Sequence, residues 1–454
     1  KRYTTAGMGT AQGKTSNINA LALLANALDK EISEVGTTTF RMPYTPTSIG
    51  TIAGREIGGL FDPVRVTRIH SWHEMNNANF EHVGQWMRAW YYPKEGENIR
   101  DAVNREVKAT RKTAGILDAS TLGKIDIQGR DAAEFLNRLY TNSWINLGVG
   151  KCRYGLMLKD DGMILDDGVT TRLGPNHFHM TTTTGGAANV LNWMEEWLQT
   201  EWPELEVYLT SVTEQWAVAS ISGPNAGKIL LNAGIDIDLS PISFPFMSMK
   251  EAHIGGLPVR IFRISFTGEL SYEINVSARH GLALWNLLTR AGEQYGLVPY
   301  GTEAMHVLRA EKGFIIVGQE TDGSVTPYDL GMDWLIAKNK PDFIGKRALE
   351  RVSMSYNDRK QLVGLLSTDP SVVIPEGAHA VLDPNQSLPM KMLGQVTSSY
   401  YSPNCGKAIA MAMLKGGKKL QGKRVFFPLL DGSVLEATVI EPTFFDPKGT
   451  RING

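Results

Sequence analysis

Cysteine is almost missing from this sequence. Cys152 and Cys405 stand far apart among 454 residues, which argues against a disulfide framework and a four-thiolate zinc site and favours a reducing, cytoplasmic setting. No apolar run is long enough to span a bilayer. The first apolar stretch, 20–28, contains Asn26, runs into Asp29, Lys30 and Glu31, and lacks a signal-peptide cleavage pattern. Charge of one sign is lacking as well. Against 46 Lys and Arg there are 47 Asp and Glu, so nothing points to nucleic acid or to an anionic membrane. There is no paired-histidine metal spacing, nucleophile elbow, strand-borne dinucleotide fingerprint or internal repeat.

What remains is ordinary globular composition, 42% hydrophobic and 20% charged, in a chain too long for one core; two to four domains are expected. Residues 7–15 are glycine-rich and end in Gly13-Lys14-Thr15. A phosphate loop needs four residues between its glycines, and only Thr10 to Gln12 separate Gly9 from Gly13. The better reading is a loop before an amphipathic helix at 20–28. Phe40 to Pro46 is punctuated by Pro43 and Pro46 and reads as an extended arm or linker.

From about residue 103 to 349 helices and strands interleave. Phe135, Leu136 and Leu139 share one face of a helix at 132–140 that follows Asp131. A strand at 154–158, an Asp-Gly turn at 159–162 and a second strand from Met163 make a hairpin. Strands are expected at 178–182, 216–221, 259–264 and 271–276, and helices at 188–198 and 281–293. Recurring hairpins favour an α+β fold with mixed or antiparallel sheets over a doubly wound parallel sheet. After about residue 360, short β runs between turn residues suggest a small C-terminal β-barrel or sandwich.

Asp166 and Asp167 are adjacent on a strand and therefore point to opposite faces. One can pair structurally while the other faces a cavity, although a solvated pair beside a turn has the same spacing. His70 and His73 read as solvated or structural. His177 and His179 share a strand face and read as a satisfied surface pair more readily than as metal ligands.

Several separated segments resemble, in order, the glycine-cleavage T-protein (aminomethyltransferase) family. They include 115–120 and 127–132, Gly162-Met163-Ile164-Leu165-Asp166-Asp167, 221–226, Phe266-Thr267-Gly268-Glu269, Tyr272-Glu273-Ile274, Leu308-Arg309-Ala310-Glu311-Lys312-Gly313, 326–327, 344–346, and 394–398, 402–403 and 409–410 in the tail. The resemblance runs from about residue 100 to the end. Within the family, residues 1–14 and 39–46 are similar to the segment of sarcosine oxidase α subunits that joins a nucleotide-binding half to a folate half. A first residue of Lys1 would then mark the C-terminal piece of a longer polypeptide.

The resemblance implies a multi-subdomain aminomethyltransferase-like folate-binding fold with a C-terminal β-barrel. The joining arm would span 1–60, the folate-binding domain 61–355 and the barrel 356–454. It implies tetrahydrofolate as ligand, with Asp167 catalytic and Tyr154, Thr183 and Glu273 binding the pterin; Tyr154 reads equally as a core aromatic. Asp118 belongs to a scaffold motif. Thr183 stands where the family often has Asn, and Met305 where it has Arg, which suggests a donor or folate tail held differently. No metal is implied. The reaction implied is one-carbon transfer from oxidised sarcosine to tetrahydrofolate. FAD, FMN and NAD, a flavin-binding β subunit and small subunits would lie elsewhere in a heterotetramer. A stand-alone aminomethyltransferase or demethylase, and a non-enzymatic folate-binding subunit, are the alternatives. An iron–sulfur assembly factor fits poorly, because Lys312-Gly313 is followed by Phe314 and not cysteine.

Overall fold

The computed structural model describes residues 13–35, 55–61, 63–356 and 358–453. The chain divides into two units, 1–64 and 65–454. In the first, a helix Gly13–Leu28 precedes a single turn, Ile32–Val35. Gly13, Lys14 and Thr15, expected in a loop, form the first turn of that helix instead. No helix breaker lies between Lys14 and Asn19, so the helix extends back from the Ala- and Leu-rich run. The expectations for 7–12 and 40–46 lie outside the described residues.

Of the four sheets in the second unit, two turn their polar faces toward one another. One has five antiparallel strands in the order Cys152–Leu158, Ile164–Gly174, His177–Thr182, Gly123–Gln128, Tyr208–Ser211. Strand alternation sends Ile125, Ile127, Met157, Phe178 and Met180 to one face. There they bury against Phe135, Leu136 and Leu139 of the helix Ala132–Leu139 and Val190 and Met194 of the helix Ala187–Thr200. Lys124, Asp126, Tyr154, His177, His179 and Thr181 take the other face.

The other sheet has six strands: Ser248–Ile254, Leu257–Arg263, Ser271–Ser277, Trp216–Ser222, Ala114–Asp118, Leu297–Pro299. Only its last pairing is parallel. Its apolar face carries Ala219, Ile221, Ile261, Tyr272 and Ile274, which pack on the helices Ala226–Asn232 and Gly281–Gly292. Each sheet is thus sealed by helices on its apolar side, and the polar sides are left to meet.

The strands beyond residue 360 form a sheet in the order His379–Ala380, Gly394–Ser402, Lys407–Lys415, Lys360–Ser367, Val434–Ile440, Arg424–Pro428. A bridge between Val381 and Phe426 joins its two edges and closes the barrel. Val363, Leu365, Val396, Val425 and Val439 fill it.

Buried charges connect the helix Thr302–Glu311 to the barrel. Arg309 donates to Glu320 at 2.9 Å and to the Ser398 hydroxyl at 2.5 Å, and Ser398 donates to Glu320. Glu311 accepts from Arg111 at 2.8 Å and from Ser402 at 2.6 Å, while Arg111 reaches Glu269 at 2.8 Å. Breaking one partner of such a buried pair typically costs about 3–5 kcal/mol.

Candidate functional site

The Asp-Gly hairpin sets the register of the site. Gly162 takes φ +86°, which a side chain would disfavour. Beyond the turn, Leu156 faces Asp167, Tyr154 faces Val169 and Cys152 faces Thr171. The two-residue period puts Asp167, Val169 and Thr171 on the polar face and sends Asp166 to the opposite one.

The two carboxylates therefore do different things. Asp166 is buried, and its oxygens accept from the Asp167 amide at 3.0 Å and the Thr183 amide at 3.3 Å. These bonds secure the chain entering the helix Ala187–Thr200. Asp167 is half-buried and accepts from the Tyr154 hydroxyl at 2.5 Å. Burial, aided by the charge of Asp167, pushes Asp166 up to about 7. Burial pushes Asp167 up to about 6, with the Tyr154 bond pulling the other way. Asp167 stays ionised at neutral pH, near enough to its pKa to exchange a proton.

Thr183 serves the same helix start. Its hydroxyl accepts from the Gly186 amide at 3.0 Å, and it is not among the residues lining the cleft. Glycine is required at 168, where a Cβ would meet the Thr181 carbonyl oxygen at 1.9 Å. The ladder there gives way to the Thr181 hydroxyl, which accepts from the Val169 amide at 3.1 Å.

A narrow cleft lies between the two polar faces. Val169, Thr171, His179 and Thr181 line it from one sheet, and Phe262, Ile264, Glu273 and Asn275 from the other. Tyr154 is paired with the lining Val169, and Asp167 lies two residues of strand, roughly 7 Å, beyond it, so both stand at the edge of the cleft on the same face. Glu273 has no hydrogen-bond partner among the described residues, and burial pushes it up to about 7 against the pull of Lys124. Lys124 donates to the Ser120 and Leu122 carbonyls at 2.9 and 2.8 Å, and burial lowers it to about 8.

His177 and His179 share a face as expected, but not as a surface pair. Asp126 joins them, at 3.1 Å to His177 Nε2 and 2.6 Å to His179 Nδ1. His179 is only 1% exposed, because the second sheet covers the face it occupies. Among the described residues its Nε2 has no partner, and neither has Oδ1 of the buried Asn275. One signal for these groups is legible in the sequence: polar residues at alternate positions of otherwise apolar strands, as in His177-Phe178-His179-Met180 and Glu273-Ile274-Asn275.

The other candidates are structural. His73 is buried between Asp118, at 3.1 Å, and the Tyr92 hydroxyl, at 2.9 Å. Asp118 also accepts from Thr67 and from the Ser120 amide. Met305, on the helix Thr302–Glu311, packs against an apolar cluster. Among the described residues no group of three or more side chains is placed to hold a metal, and no helix is long and apolar enough to cross a membrane.

Comparison with known proteins agrees with this architecture. Residues 69–340 match the GCVT N-terminal domain, 360–446 the glycine cleavage T-protein C-terminal barrel domain, and 1–55 the sarcosine oxidase A3 domain. The chain is 50% identical to the sarcosine oxidase subunit alpha of Corynebacterium sp. (strain U-96), over 100% of this chain and 47% of that protein. It is 28% identical to the aminomethyltransferase of Thermotoga neapolitana, over 84% of this chain and 97% of that protein. The crystal structure of the glycine cleavage system aminomethyltransferase T from Bartonella henselae superposes with a TM-score of 0.73 at 25% identity, covering 85% of this chain and 99% of that one. The chain spans about half the length of the sarcosine oxidase α subunits it matches. By its family matches over residues 69–340 and 360–446, this chain belongs to the glycine cleavage T-protein family.

Proposed function

We propose that this chain is the tetrahydrofolate-binding part of a sarcosine oxidase α subunit, and that it passes the one-carbon unit of oxidised sarcosine to tetrahydrofolate. One observation carries the reading. A single sheet face presents an ionisable carboxylate, Asp167, beside a cleft whose far wall holds Glu273 without a partner. A carboxylate aimed at the exocyclic amine and ring N–H of a pterin would form two charge-assisted hydrogen bonds. Orphaned polar atoms on His179 and Asn275 suit a ligand rich in polar groups.

The oxidation of sarcosine to an iminium belongs, in this reading, to a flavin elsewhere in the complex. Tetrahydrofolate is the acceptor: one of its two nitrogens would add to the iminium carbon, glycine would depart with the proton that nitrogen gives up, and the second nitrogen would then close on the same carbon as it loses its own proton. Asp167 would hold or relay that proton and stabilise the cationic centre. Tyr154 fixes the carboxylate and keeps it ionised. The products are glycine and 5,10-methylenetetrahydrofolate. A stand-alone aminomethyltransferase is served less well, because residues 1–55 match the sarcosine oxidase A3 domain.

Product analysis on the intact complex tests the proposal. With tetrahydrofolate, sarcosine should yield methylenetetrahydrofolate; without it, formaldehyde. Equal formaldehyde in both would reject the assignment. Tyr154→Phe removes the bond that lowers Asp167. Since a hydrogen bond to a charge contributes ~1.5 kcal/mol, the acid limb of the pH profile for methylenetetrahydrofolate formation should move up by roughly one pH unit.

A further inference from the structure

His179 is one of the most enclosed polar side chains in the molecule, yet only half of its hydrogen-bonding capacity is used. Its Nδ1 lies 2.6 Å from Asp126 Oδ1. A carboxylate can only accept, so Nδ1 carries the proton. In the neutral ring Nε2 is then a bare acceptor. Burial lowers the imidazole's pKa against the opposing charge of Asp126, which keeps the ring neutral. Asp126 is held in turn by His177 Nε2 at 3.1 Å, so the tautomer is fixed from behind. Phe262 stacks on His179, with centroids 6.0 Å apart and planes 28° from parallel, which limits rotation of the ring. Both side chains line the cleft.

Resting on the folate reading above, we infer that His179 Nε2 is a ligand-contacting acceptor that reads a ring N–H, and that it makes the cleft selective for the reduced over the fully oxidised pterin. Tetrahydropterins carry hydrogens on N5 and N8; fully oxidised pterins present lone pairs at both positions. An acceptor facing such a nitrogen is satisfied by the reduced ring and repelled by the oxidised one. Sites that hydrogen-bond an N–H discriminate strongly against analogues lacking it, because the buried partner is left unpaired. With Glu273 taking the amine edge, a second fixed acceptor would also set which face and edge of the ring point toward Asp167. Asn275, whose Oδ1 is also orphaned, adds to the polar wall but can turn its amide to suit either partner. His179 cannot, and so it carries the selectivity.

Anaerobic titrations of the full chain with tetrahydrofolate and with folic acid decide the matter. His179→Phe should lose roughly tenfold or more in tetrahydrofolate affinity while folic acid changes by less than about twofold, so the affinity ratio collapses. His179→Gln, whose amide can accept or donate, should keep most tetrahydrofolate affinity and gain folic acid affinity, and it guards against misfolding of the Phe variant. An unchanged ratio in the folded variants overturns the role of His179 while leaving the folate reading intact. A native chain with no measurable affinity for tetrahydrofolate overturns that reading and this inference together.

Discussion

Asp167→Asn will form methylenetetrahydrofolate about 10²–10⁴-fold more slowly, while its tetrahydrofolate affinity stays within a few-fold of the parent. Asparagine has the same shape and can still accept from the Tyr154 hydroxyl, which sits 2.5 Å from Asp167. What it cannot do is take a proton or carry a negative charge beside a forming cation. Sarcosine consumption should continue and formaldehyde should accumulate, since oxidation is assigned elsewhere. Rapid-quench product analysis with the complex separates the two steps. Normal product formation by this variant would remove Asp167 from the chemistry. A parallel loss of affinity would make it a binding group instead.

Glu273→Gln is expected to weaken tetrahydrofolate binding by about 10–100-fold, the loss of one or two charge-assisted bonds. The same change should stabilise the protein at alkaline pH. Burial raises Glu273 from 4.5 to about 7 in the fold. Between those values the folded state binds the proton that the unfolded state has released, so the contribution of this group to stability falls as pH rises from 4.5 through 7. A neutral amide escapes that loss. Calorimetry should show Glu273→Gln more stable than the parent by ~1–3 kcal/mol at pH 8 and little changed near pH 4.5. A variant that binds tetrahydrofolate normally, or is less stable at pH 8, would contradict this account. A residue that costs stability and supports binding is the expected pattern for a functional site.

The sequence made the local features plain and concealed the juxtapositions. Alternation alone separated Asp166 from Asp167, and the structure gives one to a helix start and the other to the cleft face. The 3.6-residue period placed Phe135, Leu136 and Leu139 correctly, and turn spacing marked the barrel strands. What stayed hidden depends on two sheets meeting. Nothing near His179 announces that a strand about a hundred residues later will cover it, so it read as a surface group. Lys124 and Asn275 were missed for the same reason. Arg309, Glu311 and Glu269 lie in segments that carry the family resemblance, yet each is a buried structural charge in the ion-pair network. The helix Gly13–Leu28 was misjudged at its start, because only its apolar half has a readable pattern.

The bonds that Arg309 and Glu320 make to Ser398 also tie the barrel to the helix Thr302–Glu311. If the barrel came away, a fully buried guanidinium and carboxylate would lose the hydroxyl that satisfies both and would have to be rehydrated together. Opening at this seam therefore breaks oriented, charge-assisted bonds as well as exposing apolar surface.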